Sequence, residues 1–121
     1  MRIHHVQVSC PAGGEDAARR FYRDVLGLPE VAKPPVLAAR GGCWFRAASV
    51  EVHVGVEEPF TPARKAHPAF VVDDLDAVAA RLRERGSEVD ERERTTFEGY
   101  LRFHASDPHG NRVEVLERLP A

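Results

Sequence analysis

Four residues able to hold a metal ion recur in the chain at an almost constant interval. His5 and His67 each stand at the start of a segment with strand-like alternation, 62 positions apart, and Glu51 and Glu114 lie within two copies of Val-Glu-Val, 63 positions apart. Successive side chains of a strand point to opposite faces. Val50, Val52 and Val54 therefore share one face of "SVEVHVGV" while Glu51 and His53 take the other, and Val113 and Val115 set Glu114 on the opposite face of "NRVEVLE". If helices cover the valine faces, the polar faces curl around a common concavity. A carboxylate desolvated there costs on the order of several kcal/mol, and two carboxylates repel unless a proton or a cation lies between them. Two neutral imidazoles and two carboxylates around a divalent cation remove both penalties, and this donor set suits zinc, iron, manganese, cobalt or nickel. The competing expectation is that the polar face simply meets water, as one face of an antiparallel sheet often does.

Other residues qualify the assignment. His53 lies two positions after Glu51, so it points the same way; it can replace Glu51 as a ligand, orient a ligand from behind, or act on substrate. Gln7 shares the strand face of His5 and is a candidate substrate contact. Arg64 and Lys65 in "ARKAH", and less so Lys33 and Arg40, can draw an anionic group towards the cavity. Trp44 and Phe60 read as core or interface aromatics. His4 and His104 have no repeat partner and read as surface or strand-packing residues. His109 falls in "DPHGN", a turn that Asp107 and Asn111 hold through backbone hydrogen bonds.

The elements that must position these groups also come in two copies. Residues 3–9 read as a strand, and "EDAARRFYRDVLG" as a helix with Ala18, Phe21, Tyr22, Val25 and Leu26 on one stripe and Gly27 as its stop. Short strands are expected in "PVLAAR" and "CWFRAA", followed by "SVEVHVGV". After the Pro-bearing connector 58–65 the order restarts. "HPAFVV" is a strand whose Pro68 places it at an edge or at the strand's beginning. "DDLDAVAARLRERG" is a helix with Leu75, Val78, Ala79 and Leu82 inward and Gly86 as its stop, and strands are expected around "SEVDERE", "YLRFHAS" and "NRVEVLE". The fold class is α+β: module 1–57 and module 66–121 in a single domain of 121 residues.

Composition narrows the function classes. Seventeen basic and 19 acidic residues give a formal net charge of −2, which provides no broad cationic surface for nucleic acid. No apolar run is long enough to span a bilayer, and the start lacks a secretory h-region, so a cytoplasmic location is expected. Cys10 and Cys43 lack CxxC spacing, and a reduced apolar role is expected for both, with a disulfide between them the alternative.

The set "IHHVQV", "AARRFYRDVLGL", "VEVHVG", "HPAFVVDDLDAVAARL" and "FHASDPHGNRVEVLE" resembles the vicinal oxygen chelate superfamily, also called the glyoxalase, bleomycin-resistance and extradiol-dioxygenase superfamily, over nearly the whole chain. The resemblance implies paired βαβββ modules forming a curled mixed sheet, a small-molecule substrate or ligand, and a homodimer. Ligands taken from the matching strands are His5, Glu51, His67 and Glu114, a two-His, two-Glu set similar to that of bacterial glyoxalase I. It implies a metal-dependent lyase or isomerase acting through an enediolate on a small carbonyl substrate, with Glu114 or Glu51 as the base. Two rivals come with the same family: a metal-free drug-binding protein of the bleomycin-resistance kind, and a metal-dependent enzyme that modifies an antibiotic or epoxide. The first turn, "SCPAGGEDAARR", and the connector depart from the pattern of many members, and no residues match the glutathione-contacting positions of glyoxalase I.

Overall fold

The computed structural model describes all residues, 1–121, and the chain divides into two compact units, Met1–Ala63 and Arg64–Ala121. Each unit builds its own mixed sheet, which makes the chain α+β.

In the first unit the order is β1 (Val6–Cys10), α1 (Glu15–Ala18) running on into π-helical turns (Arg19–Val25), β2 (Glu30–Val31), α2 (Pro35–Ala38), β3 (Cys43–Ala47) and β4 (Val50–Val56). The sheet order is β1-β4-β3-β2, with β1 and β4 parallel and the other pairs antiparallel. Register explains the core. Val52 stands between Val6 and Phe45, and Val54 between Val8 and Cys43, so the apolar rows line up on one face. Phe21, Tyr22 and Val25 are buried with them, the Tyr22 ring 5.9 Å from that of Phe45. The bond from Leu26 N to Phe21 O widens the helix by one residue, so Leu28 rather than Leu26 completes the buried stripe. Gly27, at φ +78°, ends the helix as expected.

One expected strand is a helix. "PVLAAR" forms α2 because Pro34 is extended and Pro35 occupies the first helical position, where a missing N–H leaves nothing unsatisfied. The strand that pairs with β3 is instead the short β2.

The second unit contains β5 (Ala69–Val71), α3 (Leu75–Glu84), β6 (Tyr100–Ser106) and β7 (Arg112–Arg118), in sheet order β5-β7-β6 with β5 parallel and β6 antiparallel to β7. Asp74 caps α3 by accepting from Ala77 N at 3.0 Å, and Glu117 of β7 accepts from Leu75 N at 2.8 Å. The expected stripe of Leu75, Val78, Ala79 and Leu82 is buried, as are Phe103, Val113 and Val115 on the sheet. The strand expected in "SEVDERE" shrinks to one bridge between Asp90 and His104. There the Asp90 carboxylate accepts from Arg92 N at 3.0 Å, a local turn that competes with ladder bonding.

Cys10 and Cys43 are both buried thiols, and burial pushes Cys43 up to about 11. No helix is long and apolar enough to cross a membrane.

Candidate metal centre

The turn between β6 and β7 sets the site in the second unit. Asp107 Oδ1 accepts from His109 N at 2.9 Å and from Asn111 N at 3.0 Å, and Asn111 Nδ2 donates to Asp107 Oδ2 at 2.9 Å. This fixes a register in which His104 lies directly opposite Glu114. Their side chains share the face opposite Phe103, Val113 and Val115.

Glu114 is 5% exposed and His104 8%. Glu114 Oε1 lies 2.9 Å from His67 Nε2 and 3.4 Å from His104 Nε2, while Arg102 Nη1 donates to Oε2 at 3.4 Å. One donor atom from each of His67, His104 and Glu114 falls within 4.8 Å of the other two.

The tautomer of His67 bears on what this group can hold. Lys65 O can only accept, so His67 Nδ1 donates to it at 2.8 Å. The neutral ring then presents the lone pair of Nε2 to the Glu114 carboxylate. Those two groups need either a second ring proton or a cation that they share. A backbone carbonyl on the far nitrogen is also the usual way a ligating imidazole is oriented. The donor set of two imidazoles and a carboxylate thus fits a divalent transition metal.

Electrostatics favour the required charge states. Burial pushes the Glu114 carboxyl up, but the bond from Arg102 and one from a second ring proton on His67 Nε2 together outweigh it and hold the carboxyl below its ordinary value. Burial, with the positive charge of Arg112, pushes His104 down. A neutral imidazole beside an ionised carboxylate is the form in which both act as ligands.

The first unit holds a second polar cluster. His53, 5% exposed, is stacked between His5 at 3.9 Å and Trp44 at 3.8 Å, with interplanar angles of 14° and 3°. His53 Nε2 donates to Glu51 Oε2 at 2.8 Å. That bond depresses the Glu51 carboxyl, while burial depresses His53 more than Glu51 raises it. His4 Nδ1 lies 3.0 Å from His5 Nδ1 and 3.9 Å from Glu51 Oε2. Gln7 sits on the same face over Gly55, where a Cβ would come within 2.7 Å of Gln7 Nε2.

The expected site residues therefore fall into two groups: His5, Glu51, His53 and Gln7 in the first unit, and His67, Glu114, Arg64 and Lys65 in the second. Within them His67 is brought onto Glu114, and His53 onto both Glu51 and His5. His104 is a correction, since it faces the carboxylate rather than merely packing a strand. Arg102 was also missed. Lys65 contributes its carbonyl to His67, and Lys33 lies over the Trp44 ring at 6.0 Å while donating to Gly41 O.

Residues 2–115 match the family model of the Glyoxalase/Bleomycin resistance protein/Dioxygenase superfamily. The chain belongs to this superfamily. Among solved structures of similar fold, a glyoxalase family protein from Bacillus anthracis is 44% identical, with 98% of this chain and 96% of that one covered and a TM-score of 0.90. TnmS3, an antibiotic binding protein from Streptomyces sp. CB03234, is 27% identical, with 98% and 99% covered and a TM-score of 0.71. The fosfomycin resistance protein FosX from Listeria monocytogenes is 15% identical, with 98% and 94% covered and a TM-score of 0.76, a likeness of fold alone. A search of the curated proteins returned no match. Proteins with such different roles share this fold, so the fold leaves the activity to the side chains on the polar faces.

Proposed function

We propose that this superfamily member is a metal-dependent lyase or isomerase that acts through an enediolate on a small carbonyl substrate. The observation that carries the reading is the buried Glu114 carboxylate facing two imidazoles, one of which is oriented by the Lys65 carbonyl. A divalent ion held by His67, His104 and Glu114 would stabilise negative charge developing on the substrate oxygens. The remaining work belongs to the chain. Glu114, only loosely held by the ion once substrate is present and ionised despite its burial, would take a proton from the hydroxyl-bearing carbon next to the carbonyl and return it to the carbonyl carbon, the hydroxyl proton passing between the two oxygens. Arg102 holds the second carboxylate oxygen, which keeps the first directed at the imidazoles.

The test is elemental analysis of protein purified without chelator, alongside Glu114→Gln, followed by deuterium exchange at the alpha carbon across a panel of 2-oxo acids and thioesters. Near-stoichiometric metal that falls in the variant, with exchange by the wild type, supports the proposal. No metal uptake, or metal without exchange on any compound, overturns it.

A second reading is favoured by a different observation. The flat Trp44–His53–His5 stack is a surface suited to a planar aromatic ligand, and the 27% identical TnmS3 is an antibiotic binding protein. Stoichiometric capture of an aromatic drug by metal-free protein, without turnover and lost in Trp44→Ala, would select it.

A further inference from the structure

The second unit carries a cavity of about 520 Å³ lined by Arg64, Ser87, Asp90, His104, Ser106 and Arg112, among others. His104 thus belongs to both the cavity and the metal-binding group. Ser106 and Arg112 are cross-strand partners, one step along the ladder from His104 and Glu114 on the same face.

The charges in this cavity do not cancel. Asp90 is committed to Arg92, whose guanidinium donates to both its oxygens at 2.9 and 2.6 Å, with Arg92 N adding a third bond. Asp107 is turned into its own loop by the bonds to His109 and Asn111 described above. Arg92, Arg94 and Arg102 of the same unit are all paired with carboxylates. Arg64 and Arg112 pair with none, and only the exposed Glu88 adds a carboxylate that is not tied down. Two open guanidinium groups with hydroxyls from Ser87 and Ser106 form a donor-rich wall, and a guanidinium fork matches two oxygens of one oxyanion.

We infer that this cavity binds the oxyanion of a small metabolite, a carboxylate or phosphate group gripped by Arg64 and Arg112 with Ser106 beside it. The group would anchor one end of the molecule next to His104. As a statement about the substrate of the metal centre, this rests on the function proposed above, which it narrows to anionic carbonyl compounds. As a statement about binding, it stands without metal.

The experiment is isothermal titration of chelator-treated full-length protein with inorganic phosphate and with pyruvate, in wild type, Arg64→Gln, Arg112→Gln and, as a control outside the cavity, Arg23→Gln, an exposed residue paired with Asp24. Arg64 and Arg112 are not core residues, and a circular dichroism spectrum of each variant confirms its fold. The expected result is binding of at least one probe, weakened tenfold or more by either cavity variant and unchanged by Arg23→Gln. Preference for phosphate identifies a phosphate ester, and preference for pyruvate a carboxylate. Binding of neither probe, or equal binding by wild type and both cavity variants, overturns the inference. Absence of metal from the purified protein would sink the proposed function and leave this result standing.

Discussion

Replacing His104 with glutamine separates a centre that uses this imidazole from one that does not. In the metal-free protein the change is mild. His104 Nε2 is 3.4 Å from Glu114 Oε1, a long contact, and glutamine keeps a donor there, so the expected loss is roughly 1 kcal/mol. The effect with metal is larger. A ligand that binds only the folded chain stabilises it by RT ln(1 + [L]/Kd), about 2.7 kcal/mol at a hundred times Kd. Even partners that merely support a ligand are worth roughly 10- to 100-fold in affinity. At the same metal concentration the gain would then fall to about 1.4 kcal/mol for a tenfold loss, or about 0.4 kcal/mol for a hundredfold loss. Urea unfolding with and without zinc, cobalt or nickel reads this directly, since 2.7 kcal/mol moves the midpoint by roughly 1 to 3 M. If His104→Gln keeps the full wild-type gain on metal addition, His104 is not a donor and the three-residue centre is wrong.

Three further outcomes follow from other parts of the structure. His53 and His104 are held below the ordinary imidazole value, mainly by burial, so the unfolded chain takes up protons first as pH falls. Their contribution is complete above about pH 6.5 and is lost as pH drops through the folded values; the urea midpoint of metal-free protein should be lower at pH 5.5 than at pH 7.5, and an unchanged midpoint would contradict this. Cys43, raised from 9.0 to about 11, should have a thiolate fraction about a hundredfold lower than an ordinary thiol near neutral pH. Iodoacetamide labelling at pH 8 followed by peptide mass spectrometry should mark it in urea but scarcely in buffer. Gly42→Ala should cost more than about 2 kcal/mol, because φ is +82° and the new Cβ would lie 2.2 Å from Val54 O. Gly27→Ala, at φ +78° with nothing within 4 Å, should lose only about 1 to 2 kcal/mol, and equal losses in urea unfolding would refute the role of the close approach.

The parts of the fold that alternation or helical spacing encodes were legible in advance. Val52 and Val54 face inward, Leu75, Val78 and Leu82 form the buried stripe of α3, and the two Val-Glu-Val segments are strands, because burying one face leaves a period in the sequence. "PVLAAR" misled because an apolar run of that length has no period of its own, and the prolines decided it. "SEVDERE" misled because its charges alternate like a strand while Asp90 captures the backbone two residues on. His104 lacked a repeat partner, yet a signal for it existed. His104 and Glu114 stand five positions either side of His109, at the centre of the turn, so the hairpin register alone places them opposite each other. The Lys65 carbonyl bond to His67 depends on backbone geometry that no residue type announces.

The ring stack in the first unit has a practical side. The chain contains one tryptophan, and its indole lies flat against an imidazole that is itself covered by another. Trp44 emission therefore originates at a single defined place, beside a ring that quenches more strongly once protonated. The protein carries its own optical gauge for this face: acid titration, a planar ligand or displacement of His5 would each change its brightness, with no label added.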